Sequence, residues 1–265
     1  MSLVVRRALG LVTVQDLGRP GRMHEAMPRG GALVRERLIA ANRAAGNPDD
    51  APAIEVLGEL VICAEATCVV ASETFAARAL AAGDELRVVS EPRRVAYLAL
   101  RGGVAAPWVL GGRGALLCAG LGGLVGGGQV LAPAGCPVGE PTPAPAALRD
   151  DPGAAPIGVL AGPDRAHFLP EALDLLLASP YRVLPSSNRV GTRLDGPPLP
   201  RGAAPEVSRP MVLGAIEVPG DGKPIILGPE HPTTGGYPIV AVVAHGDLGR
   251  LFSIRPGGQV RFARA

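Results

Sequence analysis

The runs Ile54-Glu55-Val56-Leu57, Leu60-Val61-Ile62-Cys63-Ala64, Thr67-Cys68-Val69-Val70-Ala71, Leu86-Arg87-Val88-Val89-Ser90 and Val95-Ala96-Tyr97-Leu98-Ala99-Leu100 decide the fold. They are short, rich in β-branched residues and close to period two, with Gly83-Asp84 and Glu91-Pro92 as breaks, so they read as strands of a sandwich or barrel. Glu55 interrupts the first run and is expected to face outward. Working back, residues 3–14 alternate weakly as an earlier strand. Working forward, Ile157 to Leu160, Tyr181 to Leu184, Ala215 to Val218, Ile225 to Leu227, Ile239 to Val243, Arg250 to Ile254 and Gln259 to Phe262 form a second set.

Each set holds one short helix. Val34, Leu38, Ala41 and Ala45 recur at helical spacing, with Gly46 and Pro48 as a stop. Asn42 falls on that stripe, where a buried amide must find partners; it either buttresses a loop or faces a ligand, the buttress being preferred. The later helix spans about Pro170 to Ala178, with Ala172, Leu173, Leu176 and Leu177 on its buried side. The chain therefore reads as mainly β with short helices, in two units: residues 1–140 and 157–265, joined by a Pro/Ala-rich linker over 141–156. The 37 glycines and 28 prolines, about a quarter of the chain, lie between the apolar runs as turns.

Composition removes several functional classes. A net charge of +2 and 3% aromatic residues argue against nucleic acid. The glycines and prolines of the uncharged region 114–139 break any membrane-spanning helix, and residues 8–14 after Arg6-Arg7 lack the cleavage pattern of a leader. Four cysteines, Cys63, Cys68, Cys118 and Cys136, without CxxC spacing suggest free thiols in a reducing cytoplasm. The scattered histidines make no metal signature. Neither a GxGxxG fingerprint nor a Walker loop occurs in the glycine-rich region 111–128.

Polar, glycine-punctuated turns remain as candidate sites. Gln15-Asp16-Leu17-Gly18-Arg19 follows the first strand, and Asp16 with Arg19 is either a local ion pair or part of a site. Arg101-Gly102-Gly103 is either an anion cradle or a plain strand end. Asn188-Arg189 lead into a stretch where Arg189 and Arg193, four apart, are expected to share one face and fork onto an oxyanion. Thr233-Thr234-Gly235-Gly236-Tyr237 offers two hydroxyls and free backbone N–H groups before an apolar strand. His231, with an unperturbed pKa near ~6.5, and Glu217 are candidate proton carriers. The candidate catalytic groups are thus His231, Glu217 and Asp16. The candidate substrate- or anion-binding groups are Gln15, Arg19, Asn42, Arg101, Gly102, Gly103, Asn188, Arg189, Arg193, Thr233, Thr234, Gly235, Gly236 and Tyr237, with no metal ligands assigned.

Seven runs, in order along nearly the whole chain, resemble one family: Thr13-Val14-Gln15-Asp16-Leu17-Gly18-Arg19, Ala41-Asn42 with Gly46-Asn47, Ala53-Ile54-Glu55, Tyr97 to Gly103, Ser187 to Leu194, Gly214 to Pro219 and Thr233 to Pro238. The chain is similar to the KipA family, also called allophanate hydrolase subunit 2 or the biotin-dependent carboxyltransferase family, which includes the C-type subunit of bacterial ATP-dependent 5-oxoprolinase. The resemblance implies two cyclophilin-like β-barrel units and a KipI-like partner. It further implies a complex with A- and B-type subunits that opens 5-oxo-L-proline to L-glutamate with ATP hydrolysis. Phosphate oxygens would then need cationic and N–H donors, a role implied for Arg101, Arg189, Arg193 and the loop 233–236.

Two other functions carry the same resemblance: the carboxyltransferase half of a urea carboxylase-like system, and a KipA-type non-catalytic regulator. The first needs a biotin-bearing partner, because Lys223, the one lysine, lies between Gly222 and Pro224 without the methionines of a biotinylated lysine. The chain departs from the family pattern in four places. Gly31-Ala32-Leu33-Val34 lacks an acid, Gly111-Gly112-Arg113-Gly114-Ala115 lacks hydroxyls, Glu217 replaces a glutamine, and Ser208-Arg209-Pro210 replaces a more glycine-rich approach.

Overall fold

A computed structural model describes residues 2–143, 155–202 and 207–265. The chain divides into two compact units, the first formed by Met1–Pro20 with Gly30–Asp150 and the second by Gly21–Arg29 with Asp151–Ala265. Most of the linker expected over 141–156 lies outside the described residues; within its start, the Thr142 N–H donates to the Arg43 carbonyl at 2.8 Å.

In the first unit β1 (Leu3–Gln15) and β2 (Ala53–Ala64) pair antiparallel over their whole length. The two runs expected at 54–57 and 60–64 are thus one strand. Gly10 and Gly58 sit opposite each other in it with φ of +83° and +133°. A Cβ on either would run into the partner strand's carbonyl, so glycine here is a close-approach device rather than a break. Around this pair lie β3 (Cys68–Ser72), β4 (Arg78–Leu80), β5 (Glu85–Val89), β6 (Ala96–Leu100) and β7 (Val130–Leu131), in the order β4-β3-β6-β2-β1-β7, with β5 also on β2. Period-two side chains such as Val12, Ile54, Val56, Leu60, Ile62, Val70, Leu98 and Leu100 fill the core.

The helix α1 (Arg35–Ala45) packs on β3 and β6. Leu38, Ala41 and Ala45 are buried as expected, and Gly46 ends the helix at φ +74°. Val34 is its N-cap and has no side chain able to accept a hydrogen bond. The N–H groups leading into the helix are bonded from β2 and β6: the Glu55 carboxylate accepts from the Leu33 N–H at 2.7 Å, and the Tyr97 hydroxyl accepts from the Val34 N–H at 2.9 Å. The outward orientation expected of Glu55 is therefore wrong. It is fully buried, because free N–H groups at a helix start favour a carboxylate.

The second unit is one sheet built from β8 (Ile157–Ala161), β9 (Tyr181–Val183), β10 (Gly191–Asp195), β12 (Ala215–Glu217), β13 (Ile225–Leu227), β15 (Ile239–Val243), β16 (Gln259–Val260) and β17 (Phe262–Arg264). A two-stranded ribbon of β11 (Arg209–Pro210) and β14 (Thr234–Gly235) stands beside it. The order β16-β9-β10-β13-β12-β15-β8-β17 places β16 and β17 on opposite edges, yet only Arg261 separates them in sequence. One short segment of chain thus bridges both edges and curls the sheet into a nearly closed barrel, which removes exposed edges. Helix α2 (Ala172–Ala178) buries Ala172 and Leu176, while Leu173 and Leu177 are half-buried. The strand expected over Arg250 to Ile254 is instead α3 (Leu248–Ser253), since Leu248, Leu251 and Phe252 bury a helical i, i+3, i+4 face.

Candidate functional site

In the second unit the stretch Thr233 to Tyr237 forms one side of the ribbon. Gly235 pairs with Arg209 and Thr234 with Pro210, and the Met211 N–H donates to the Thr233 carbonyl at 3.0 Å. Pro238 then enters the sheet, its carbonyl accepting from the Val218 N–H at 3.0 Å. The Thr234 side chain and Tyr237 are exposed, and Gly236 is half-buried.

Glu217 lies against this ribbon. It ends β12, which sits between β13 and β15, so it is not the edge-strand carboxylate that its sequence context also allowed. The β12–β15 register shifts between Ile216 and Glu217, an irregularity that re-aims a side chain. A Cβ on Gly235 would come within 3.1 Å of Glu217 Oε1 and 2.9 Å of Met211 Cε, so the carboxyl rests directly against the bare backbone of Gly235. Glu217 is 7% exposed and makes no ion pair among the described residues. Burial without a compensating charge pushes its pKa up to about 6.

Neighbouring polar groups hold the ribbon. Asp164 pairs with Arg209 and accepts from the Ile239 N–H at 2.7 Å, tying the ribbon to the start of β15. His231 is buried beside Pro232, its Nδ1 2.7 Å from the Pro232 carbonyl. Nδ1 is therefore the protonated nitrogen, and burial lowers the ring's pKa against the pull of that carbonyl, so the neutral imidazole prevails at pH 7.

The arginine pair expected to fork onto an oxyanion does not form. Arg189 is buried with its Nε 2.6 Å from Glu230 Oε1, whereas Arg193 points to solvent from β10. A bend at Arg189 and Val190, before β10 begins at Gly191, breaks the extended spacing that would have aligned them. The Asn188 Oδ1 accepts from the Val190 and Gly191 N–H groups and so shapes that bend.

In the first unit Asp16 and Arg19 are both buried but do not pair. Asp16 accepts from the Gly18 N–H at 2.8 Å and the Arg113 N–H at 2.6 Å. Arg19 donates to the carbonyls of Val109 at 3.0 Å, Gly114 at 2.9 Å and Gly112 at 3.3 Å. Both side chains grip the same loop, 109–114. Burial lowers the Arg19 pKa, opposed by the field of Asp16. A Cβ on Gly114 would lie 2.6 Å from Asp16 Oδ1, and one on Gly112 would lie 3.0 Å from Arg19 Cγ, so the hydroxyl-bearing side chains of the family pattern have no room here. Gln15 donates to Thr13 Oγ1 at 3.0 Å and the Ala115 carbonyl at 3.1 Å, and its buried Oε1 has no partner among the described residues.

Asn42 is the loop buttress, donating to the carbonyls of Ala51 at 2.7 Å and Asp49 at 3.3 Å and accepting from Asn47 at 3.3 Å. Asn47 extends the network to the Leu100 carbonyl and the Gly102 N–H, each at 2.8 Å. Arg101 donates to the carbonyls of Ala45 and Gly139, each at 3.1 Å, and the Gly103 N–H returns to Leu100. The cradle expected at 101–103 is thus a strand end whose two glycine N–H groups are already bonded. Asn47, Arg113, Asp164, Arg209 and Glu230 were not singled out as site residues from the sequence; their partners lie far away along the chain. Among the described residues no cluster of three or more His, Cys, Asp or Glu is placed to hold a metal ion, and no helix is long and apolar enough to cross a membrane.

Comparison with known proteins places this geometry. Residues 26–264 match the model of the carboxyltransferase domain, subdomain A and B. The chain is 31% identical to the C-type subunit of 5-oxoprolinase from Escherichia coli, over 99% of this chain and 91% of that protein. It is 31% identical to the urea amidolyase of Lachancea kluyveri, over 94% of this chain and 16% of that protein. Among solved structures, TTHA0988 superposes with a TM-score of 0.87 at 30% identity over 99% of this chain, which spans 55% of that chain. The K. lactis urea amidolyase superposes with a TM-score of 0.86 at 25% identity over 99% of this chain, which spans 18% of that one. The chain belongs to the carboxyltransferase domain family, subdomain A and B.

Proposed function

We propose that this chain is the C-type subunit of an ATP-dependent 5-oxoprolinase, acting with A- and B-type, KipI-like subunits in the cytoplasm and inactive alone. The observation that carries the reading is the end-to-end correspondence with a protein named as the C-type subunit of 5-oxoprolinase, whereas the urea amidolyase match spans a small part of a much longer protein. Four free cysteines fit a reducing compartment. The reaction converts 5-oxo-L-proline, ATP and water to L-glutamate, ADP and phosphate. A lactam is a poor electrophile, so the complex activates its carbonyl oxygen by phosphorylation and then needs a proton carrier and oxyanion donors. Glu217, with a pKa near neutrality and no ion pair among the described residues, suits the first role in this chain, where the family pattern has glutamine, and the ribbon Thr233 to Gly236 beside it suits the second.

Reconstitution tests the reading. The chain is co-expressed with candidate A and B subunits, and 5-oxoproline-dependent ADP release is measured with and without it. Turnover that requires the chain is the expected result, and indifference to its presence removes the reading. The carboxyltransferase half of a urea carboxylase-like system is a second reading, favoured by the urea amidolyase matches. It requires biotin on a partner, since Lys223, between Gly222 and Pro224, lacks the flanking methionines of a biotinylated lysine. Carboxyl transfer from a carboxybiotin carrier to urea, with no 5-oxoproline turnover, would select it. Tight binding to a KipI-like protein with neither activity would select a regulatory role.

A further inference from the structure

A cavity of about 170 Å³ opens in the first unit beside the Asp16–Arg19 turn. That is room for roughly five or six water volumes, well below a nucleotide or a drug-sized ligand. Its polar wall holds two guanidinium groups, Arg19 and Arg113, and its apolar wall holds Val14, Leu121, Leu124 and Val125.

The two cations have no direct carboxylate partner among the described residues. Arg19 is 2% exposed and bonds only to carbonyl oxygens. Arg113 donates to the Ala106 carbonyl at 2.5 Å and stacks on Trp108 with its Cζ 5.7 Å from the ring centroid. Among the described residues neither makes an ion pair with a carboxylate. The nearby acid, Asp16, has one oxygen bonded to the Gly18 N–H and the other to the Arg113 N–H. Charge withdrawn from water is ordinarily paired; the field of Asp16 reaches Arg19, but Asp16 does not line the pocket, whose lining carries two arginines and no carboxylate. The guanidinium fork is the donor geometry best matched to carboxylate oxygens. The apolar wall excludes a bare inorganic anion as the best fit, since it leaves those side chains against water.

We propose that this cavity binds a small monocarboxylate with a compact apolar body, the carboxylate facing Arg113 and Arg19 and the body facing Val14, Leu121 and Val125. The identity of the carboxylate as 5-oxo-L-proline rests on the function proposed above; the chemical class does not.

The test is equilibrium binding to the full, unassembled chain by calorimetry, with three probes: 5-oxo-L-proline, 2-pyrrolidinone, which keeps the ring and lacks the carboxylate, and acetate, which keeps the carboxylate and lacks the ring. Saturable binding of 5-oxo-L-proline, with both fragments at least about tenfold weaker, is the expected result. Arg113→Gln weakens 5-oxo-L-proline about tenfold or more with no change for 2-pyrrolidinone, and Arg113→Lys falls between. Equal binding of the ring without its carboxylate, wild-type affinity in Arg113→Gln, or no binding by the wild-type chain each overturns the proposal. The wild-type comparison stands even where the variant does not fold. The ADP-release assay separates the two failures: turnover that needs the chain without binding to it removes the pocket alone, and binding without stimulated turnover removes the 5-oxoprolinase reading alone.

Discussion

Glu55 and Tyr97 stand directly opposite each other in β2 and β6, and the Tyr97 hydroxyl donates to the Glu55 carboxylate at 2.6 Å. Together they reach the two backbone N–H groups at the start of α1, where Val34 offers no cap. The place where the family pattern carries an acid is thus the N-cap of a helix, and Glu55 and Tyr97 bond the N–H groups of Leu33 and Val34 that lead into it. Tyr97→Phe removes one donor and one acceptor from a dry site and strands the Val34 N–H. A loss of about 1–3 kcal/mol is expected in urea unfolding of the chain. A stability unchanged within error would show that the N–H finds water instead.

The pKa of Glu217 sets a pH dependence. Its folded value of about 6 lies above the ordinary 4.5, so the folded state binds the extra proton. Sign and window follow: the protonated group costs nothing below about pH 4.5, and stability falls as pH rises through about 6, by about 2 kcal/mol in all. Glu217→Gln removes the ionisable group. The variant should be more stable than wild type at pH 7.5 and equal to it near pH 4.5, and because glutamine is the residue of the family pattern, a turnover drop of about 100-fold or more in the reconstituted complex would mark Glu217 as a proton carrier particular to this chain. Thermal melts across pH 4.5–7.5 give the first result and ADP release the second. Wild-type turnover in the variant would remove Glu217 from the chemistry, and pH-independent melts would show that its charge is compensated.

Arg189 and Glu230 form a buried pair, each nearly inaccessible to solvent. Arg189→Met leaves the Glu230 carboxylate unpaired, at a cost of about 3–5 kcal/mol. The double variant Arg189→Met, Glu230→Leu should recover most of that loss. Denaturant midpoints for the two single variants and the double complete the cycle. A single variant as stable as wild type would mean that Glu230 reaches water.

How far the sequence reveals this molecule depends on the distance over which each feature is encoded. Strands such as Ile225–Leu227 and Ile239–Val243 are legible because a short, β-branched apolar run between turn residues is a local signal, and α1 is legible because its stripe and its Gly46 stop are local. Gly58 reads as a break until Gly10 is seen to face it, and Arg250 to Ile254 reads as a strand until Leu248 joins its apolar face. The site residues are harder. The partners of Glu55, Arg189 and Asp16 lie 42, 41 and 97 positions away, and no periodicity carries that information. Thr233 to Tyr237 and Glu217 are visible as chemistry-bearing residues, yet their juxtaposition depends on a strand irregularity that the sequence does not display.

Thr234 tests the ribbon itself. Its ladder partner is Pro210, its side chain is exposed, and no hydrogen bond to its hydroxyl occurs among the described residues. Removing the hydroxyl therefore costs the fold little, within about 0.5 kcal/mol. If the ribbon presents donors to an oxyanion over Gly235 and Gly236, that hydroxyl is one of them, and its loss is felt in the transition state. Thr234→Ala should lower kcat of the reconstituted complex about 10- to 100-fold at unchanged melting temperature, and Thr234→Ser should restore most of the rate. A Thr234→Ala complex with wild-type kcat/KM would separate the ribbon from the reaction, leaving Glu217 without the donors beside it.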